Sequence, residues 1–259
     1  MCQLSTYFLP VLLFWITASL IRTRLGQSFV FILRSRTMTV SESITGLRIG
    51  HLNVYHSFNK VGDVSLLMNQ SSQLTHLFGI SETHLDSRID NDSIRIPEYL
   101  VIWRESSQTL HAGIALYVHE SIAMNTRRRT DLESEGVECV WVEINDLKSP
   151  SLLVGYIYRN PASPTTWFDD FVLMIDKAND HKSSILLNGN FNIDLCKPQP
   201  TWDITTSLFG FQQLVRSATR ITNYTATLTD HVYTNNQAMV SEVLVSTAGI
   251  SDHSPVFCT

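Results

Sequence analysis

Charge is what this chain has least of. Charged residues occupy 17% of its 259 positions, below the ~25% of ordinary soluble domains, so neither a disordered segment nor a coiled coil fits. Cysteine is sparse and unpatterned: Cys2, Cys139, Cys196 and Cys258 form no C-x-x-C pair and no metal-ligand spacing. A reduced compartment is the simpler setting. There is no internal repeat and no low-complexity tract. A long apolar run is also missing. Residues 8–21, broken by Pro10, Thr17 and Ser19, fall short of the ~20 residues a membrane span requires. The run has the length of a signal-peptide core, but no Lys or Arg precedes it. Sequons at Asn69, Asn91 and Asn223 matter only in a secreted protein. Residues 1–45 are expected to be a poorly ordered leader, with a membrane anchor or signal as the alternative.

What is present fits one domain over residues 46–259. Hydrophobic content is 44%, and a chain of this length buries roughly 70–75% of its unfolded surface. The net charge is −5. Arg22, Arg24, Arg34 and Arg36 stand against Glu42 alone in the leader, so the acidity lies in the domain. An acidic domain does not attract phosphate by bulk charge. Handling nucleic acid would take a divalent metal and a local basic strip. The only dense basic run is Arg127-Arg128-Arg129. It reads first as a solvated loop or strand edge, with Arg128 the candidate for a nucleic-acid contact.

From Leu47 onward short apolar stretches alternate with turn residues. Strands are expected over 47–55, 74–80, 114–118, 137–144, 152–158, 185–187, 228–234 and 243–246, with a last one over 254–258. In the fourth, Val140, Val142 and Ile144 alternate with Cys139, Trp141 and Glu143, which implies two unequal faces. Val61, Val64, Leu67 and Met68 have helical spacing. Ser163-Pro164 predicts a helix start, with Ser163 as N-cap and Phe168, Phe171, Met174, Ile175 and Ala178 as its apolar stripe. Residues 205–215 are a further expected helix. Successive strands with few helices point to sheet packed on sheet, helices outside.

Polar residues recur where these strands end: Asn53, Glu82, Tyr158 with Arg159, Asn190 with Asn192, Asp230-His231 and Ser251-Asp252-His253. Strand ends on a rigid scaffold are where sites are commonly built. Each alone has a plain structural explanation, such as an Asn or Asp serving a turn. The run Leu186-Leu187-Asn188-Gly189-Asn190-Phe191-Asn192 reads as a buried strand ending in a glycine turn that carries two amides.

Taken in order, these segments resemble the endonuclease/exonuclease/phosphatase superfamily, and within it the apurinic-endonuclease-like domain of non-LTR retrotransposons. The carrying segments are Leu52-Asn53-Val54, residues 80–86, residues 113–118, Tyr158-Arg159-Asn160-Pro161, Gly189-Asn190-Phe191-Asn192, residues 227–235 and Ser251-Asp252-His253. The resemblance covers residues 47–259. It implies an α/β (α+β) four-layer sandwich of two mixed β-sheets face to face, flanked by helices. It implies Mg²⁺ as cofactor, with Mn²⁺ as a substitute, DNA as partner and a monomer. Glu82 would be the principal metal ligand, Asn53 would help hold the metal–phosphate assembly, and Asp252 would lie close to the metal. His253 would contact the scissile phosphate, oriented by Asp230. Tyr158 would hydrogen-bond the phosphate, and Asn192 would donate to a phosphate oxygen. Arg159 and Thr222 would touch nucleic acid.

The chain departs from that pattern at Asn190, where the family has an aspartate assigned to the attacking water. A neutral amide is no base near pH 7, so the implied DNA-nicking phosphodiesterase is expected to be weakened. A non-catalytic nucleic-acid-binding relic is the alternative, and a secreted or membrane-tethered nuclease or phosphatase the second. The Arg-Ser-Leu often found after the first-strand Asn is replaced by Val54-Tyr55-His56-Ser57. The chain stops six residues after His253, leaving no room for a reverse transcriptase, so an isolated endonuclease unit of the cytoplasm or nucleus is expected.

Overall fold

Short apolar strands in alternating register close into two sheets in the computed structural model, which describes residues 46–55, 59–69, 73–86, 88–104, 112–146 and 149–259. The expected leader, with its apolar run 8–21, lies outside the described residues. In chain order, β1 (Ile49–Asn53) leads through α1 (Val61–Asn69) into β2 (Leu77–Ser81). β3 (Tyr99–Arg104), β4 (Ile114–His119), the short α2 (Glu120–Ala123) and β5 (Thr126–Arg128) follow. Then come β6 (Glu138–Asp146), β7 (Ser149–Tyr158), α3 (Trp167–Asn179), β8 (Ser184–Asn190), α4 (Pro200–Leu208) and β9 (Gln212–Gln213). A hairpin of β10 (Arg220–Ile221) and β11 (Ala226–Thr227) precedes β12 (Asp230–Thr234), β13 (Val243–Val245) and β14 (Val256–Cys258).

The first sheet runs β13-β14-β1-β2-β4-β3 and the second β5-β6-β7-β8-β12-β9. Each holds one parallel pair, β1 with β2 and β7 with β8. The other neighbours are antiparallel. A parallel pair needs a crossover, and α1 and α3 supply it. The two sheets therefore repeat one topology.

Alternation assigns every strand two jobs. Ile49, Leu116, Val140, Val142, Val154, Leu186 and Val232 fill the space between the sheets. The opposite faces meet helices. Leu52, Phe78 and Tyr117 pack on Val64 and Met68 of α1. Cys139, Trp141, Ile185 and Leu187 pack on Trp167, Phe171 and Ile175 of α3 and Trp202 of α4. The layers are helix, sheet, sheet, helix, as expected. Among the described residues no helix is long and apolar enough to cross a membrane.

Several expectations need correction. The third helix opens at Trp167 rather than at Pro164, because residues 160–168 turn tightly with bonds such as Trp167 N to Pro164 O, 3.1 Å. Its cap is Thr166, without a side-chain cap bond, and Trp167 shares the buried stripe while Phe168 is half-buried. The helix expected over 205–215 is α4, opened by Pro200 at its first turn and ended before Gly210, whose φ of 68° leaves the helical region. Gly189 makes no turn. β8 continues through Asn190, and Gly189 is needed because a Cβ there would meet the Ile157 carbonyl of the adjoining strand.

Candidate active site

The register of β8 and β12 sets Asp230 opposite Asn190, and that of β7 and β8 sets Tyr158 opposite Asn190. Three candidates thus meet at one end of the second sheet by strand pairing alone. From the first sheet, Ile49, His51 and Asn53 share one face of β1, and Asn53 ends it beside Ser81. The segment carrying His253 is tied to that end: Ser251 Oγ donates to Asn53 O at 2.6 Å and accepts from His253 N at 3.1 Å.

The centre is Asp230, 1% exposed. His253 Nδ1 lies 2.7 Å from Oδ2. Thr219 Oγ1 donates to Oδ2 at 2.7 Å, and Asn190 Nδ2 donates to Oδ1 at 3.0 Å. His51 Nδ1 stands 3.7 Å from Oδ1 while its Nε2 meets Ser81 Oγ at 3.1 Å. Burial would push the Asp230 carboxyl up, but the His253 charge and hydrogen bond, followed by His51 and Thr219, hold it well below the usual carboxylate range. Burial opposes a charge on His253, and the same carboxylate outweighs it, raising the imidazole. His51 goes the other way. Burial drives it down to about 4 despite Asp230, so it stays neutral near pH 7. A protonated His253 bonded through Nδ1 keeps Nε2 as its second donor.

Asn190 is fully buried, and its Oδ1 has no hydrogen-bond partner. A carboxylate at this position would carry negative charge there. An amide oxygen accepts a hydrogen bond from a water and aims it, but does not take its proton.

Glu82 forms the neighbouring focus. Its φ of 53° is a strained conformation for a non-glycine residue of the kind that collects at functional sites. Asn53 Nδ2 donates to Glu82 Oε1 at 2.7 Å, while Asn53 Oδ1 accepts from Tyr55 N at 3.1 Å. Asn53 therefore orients Glu82, and its oxygen is engaged by the Tyr55 amide. The Tyr158 hydroxyl hydrogen-bonds Glu82 as well. Burial first, then the Glu82 charge, lift its pKa far above normal, so it remains a neutral donor.

The outer candidates separate. Asn192, also left-handed at φ 50°, donates to Arg159 O at 2.8 Å and joins the ends of β7 and β8, leaving one amide hydrogen to spare. The Arg159 guanidinium lies 5.4 Å from the Trp167 ring centre and 5.7 Å from that of Phe168, at a cleft of about 590 Å³ that Asn192 also lines. Thr222 closes the exposed hairpin, accepting from Tyr224 N and Thr225 N. Asp252 follows the fold to the site, but its carboxylate is engaged by Arg220, with Nε 2.7 Å from Oδ2. Arg128 is not brought there. It lies on β5 at the far edge of the second sheet, bound through two nitrogens to Glu133. Arg127 and Arg129 are paired with Glu143 and Asp131. His231 is structural, stacked on Phe191 at 4.9 Å with Nε2 on backbone carbonyls. Sequence reasoning missed His51, Thr219 and Arg220. Alternation on β1 could have flagged His51, two positions before Asn53, whereas nothing local distinguishes Thr219.

Among the described residues no three His, Cys, Asp or Glu side chains form a ready-made metal cage. Mg²⁺ does not need one, since it is commonly held by one or two carboxylates, waters and substrate phosphate. Glu82, a hard carboxylate steadied by Asn53 and Tyr158, fits that demand.

No family model and no curated protein matches the chain. Solved structures do. A 3′ phosphatase from Neisseria bound to a product DNA hairpin superposes with a TM-score of 0.64 at 15% identity, covering 83% of this chain and 99% of that one. An AP endonuclease from Archaeoglobus fulgidus gives 0.63 at 14% identity, covering 83% and 99%. An endonuclease/exonuclease/phosphatase family protein from Bacteroides thetaiotaomicron gives 0.58 at 13%, covering 82% and 93%. The fold is the one these proteins share.

Proposed function

We propose that this chain is a metal-dependent phosphodiesterase, a DNA-nicking endonuclease domain descended from a non-LTR retrotransposon and weakened by Asn190. The observation that carries it is the buried Asn190–Asp230–His253 cluster meeting the Asn53–Glu82–Tyr158 focus across two sheets. The shared fold with nucleases and phosphatases and the ordered motif set support the same reading.

His253 receives a phosphate oxygen through Nε2, and Asp230 orients it and favours its charged form. Tyr158 donates its hydroxyl hydrogen to Glu82 and so steadies the carboxylate that would hold the metal. Asn190 Oδ1 orients the attacking water. Mg²⁺ bound at Glu82 would supply Lewis-acid stabilisation of charge developing on the phosphate and the leaving oxygen. The absent step is proton removal from that water. Losing a general base typically costs ~10²–10⁴-fold.

The test is nicking of supercoiled plasmid with Mg²⁺ by the native protein and by Asn190→Asp, with EDTA as control. We expect little or no nicking by the native chain and a gain of about 10²-fold or more in the variant. A folded, Mg²⁺-binding Asn190→Asp protein that never nicks would sink the single-lesion account. Salt-dependent DNA binding without nicking by either protein would favour the second reading, a binding module whose neutral amide marks lost chemistry.

A further inference from the structure

We infer that Arg220 binds a phosphate of the nucleic acid and that Asp252 is its anchor, not a metal ligand. This rests on the proposed function and deepens it.

Backbone pairing fixes Arg220 beside His253. The two residues form an antiparallel bridge, Ile221 N donates to Asp252 O at 3.0 Å, and Ser254 N donates to Thr219 O at 2.6 Å. Alternation then divides the roles along this strand. Thr219 turns inward to Asp230, and Arg220 turns outward to the rim, with its side chain 45% exposed.

The guanidinium is a planar fork with five donors. Asp252 takes the Nε edge at 2.7 Å. Among the described residues Nη1 and Nη2 have no hydrogen-bond partner, so the end of the fork is left for another planar or tetrahedral oxyanion. One anchored edge and one open edge suit a phosphodiester gripped between Arg220 and His253. The dense basic run does not compete for this role. The dense arginine run is neutralised by Glu133, Glu143 and Asp131, and the domain is acidic. The positive charge of Arg220 also opposes protonation of His253, so the two groups act on one electrostatic neighbourhood.

The experiment measures binding, not turnover. The full chain is titrated into a fluorescently labelled DNA duplex in EDTA, and anisotropy is followed over a salt series for the native protein, Arg220→Ala, Arg220→Lys and Asp252→Asn. Mg²⁺ binding is measured separately by calorimetry. Arg220→Ala is expected to weaken binding about tenfold at low salt and to make the log Kd against log salt slope shallower by about one. Arg220→Lys should keep the slope but lose affinity, because lysine lacks the second edge that meets Asp252. Asp252→Asn should lower DNA affinity and leave Mg²⁺ binding unchanged. An unaltered slope in Arg220→Ala, or loss of Mg²⁺ binding in Asp252→Asn, overturns the inference alone. Native protein that binds no duplex at low salt overturns the functional reading and this inference with it.

Discussion

Asn190 donates to Asp230 at 3.0 Å through one amide atom and leaves the other buried without a partner. Replacing the amide by a carboxylate sets two like charges about as far apart, which disfavours ionising both, with His253 as partial compensation. Asn190→Asp is therefore expected to melt below the native protein at pH 8, by an amount worth about 1–3 kcal/mol. The gap should narrow by pH 5, where the pair can hold a proton. Thermal melting at the two pH values checks this, and a gap that widens on acidification would refute it. At this scale the sequence was informative about identity and silent about aim. Asn190, Glu82, Asp230 and His253 were legible because their order along strand ends is a pattern. The direction of Asp252 was not, since its partner Arg220 is distant in sequence and arrives through a hairpin. Asn53 likewise was legible as a site residue, but its amide orientation depends on Tyr55 N and Glu82 together.

Elements were legible where periodicity governs and misread where backbone packing does. β1, β2, β4 and β7 lie within a few residues of their expected spans. The end of β8 was taken for a turn because glycine usually marks one, whereas here it admits the neighbouring Ile157 carbonyl at a φ of 152°. No local signal reports a close approach from another strand. Gly189→Ala should cost about 3 kcal/mol or more, since the obstacle is backbone and cannot swing away. For a domain of this size that lowers Tm by roughly 6–12 °C or abolishes soluble yield. Gly62 in α1 is the contrasting case, with open space around its Cβ position and an ordinary helical backbone. Gly62→Ala should raise stability by about 0.5–1 kcal/mol. Calorimetry of both variants decides, and similar effects at the two glycines would contradict the packing account. β3, β5 and the β10–β11 hairpin escaped notice because short edge strands with exposed residues lack a clean alternation.

Over the whole molecule, acid stability follows from three buried histidines. His51 and His231 are both pushed down to about 4 by burial. The unfolded chain takes up their protons near pH 6.5 and the folded one near 4, so stability falls as pH drops through that window and levels off below it. Each contributes roughly 3 kcal/mol to the fall. His253 is raised, so its stabilising contribution is full below pH 6.5 and is lost only as pH climbs through its folded value. Asp230, lowered, loses its contribution below pH 3.8. Urea midpoints should decline from pH 7 to pH 4.5, and His231→Gln should flatten that decline. A midpoint independent of pH across the window would count against neutral burial of these rings. The four-layer architecture was readable from strand succession, yet the repeat was not. The two sheets share one topology without sharing a sequence, because a β-α-β unit asks only for apolar alternation and a crossover.

The bond from Ser251 to the Asn53 carbonyl spans 198 residues, and it has a meaning for biosynthesis. The second sheet is drawn entirely from the middle of the chain, whereas the first takes β1 from its beginning and β14 from its end. A ribosome therefore releases a complete second sheet while β1 still lacks one neighbour and shows an open edge. The Asp230–His253 pair does not form until residues 251–253 have emerged, after both parallel strand pairs. A chain ending before Ser251 keeps most of its core but lacks β14, the Ser251–Asn53 tie and the Asp230–His253 pair.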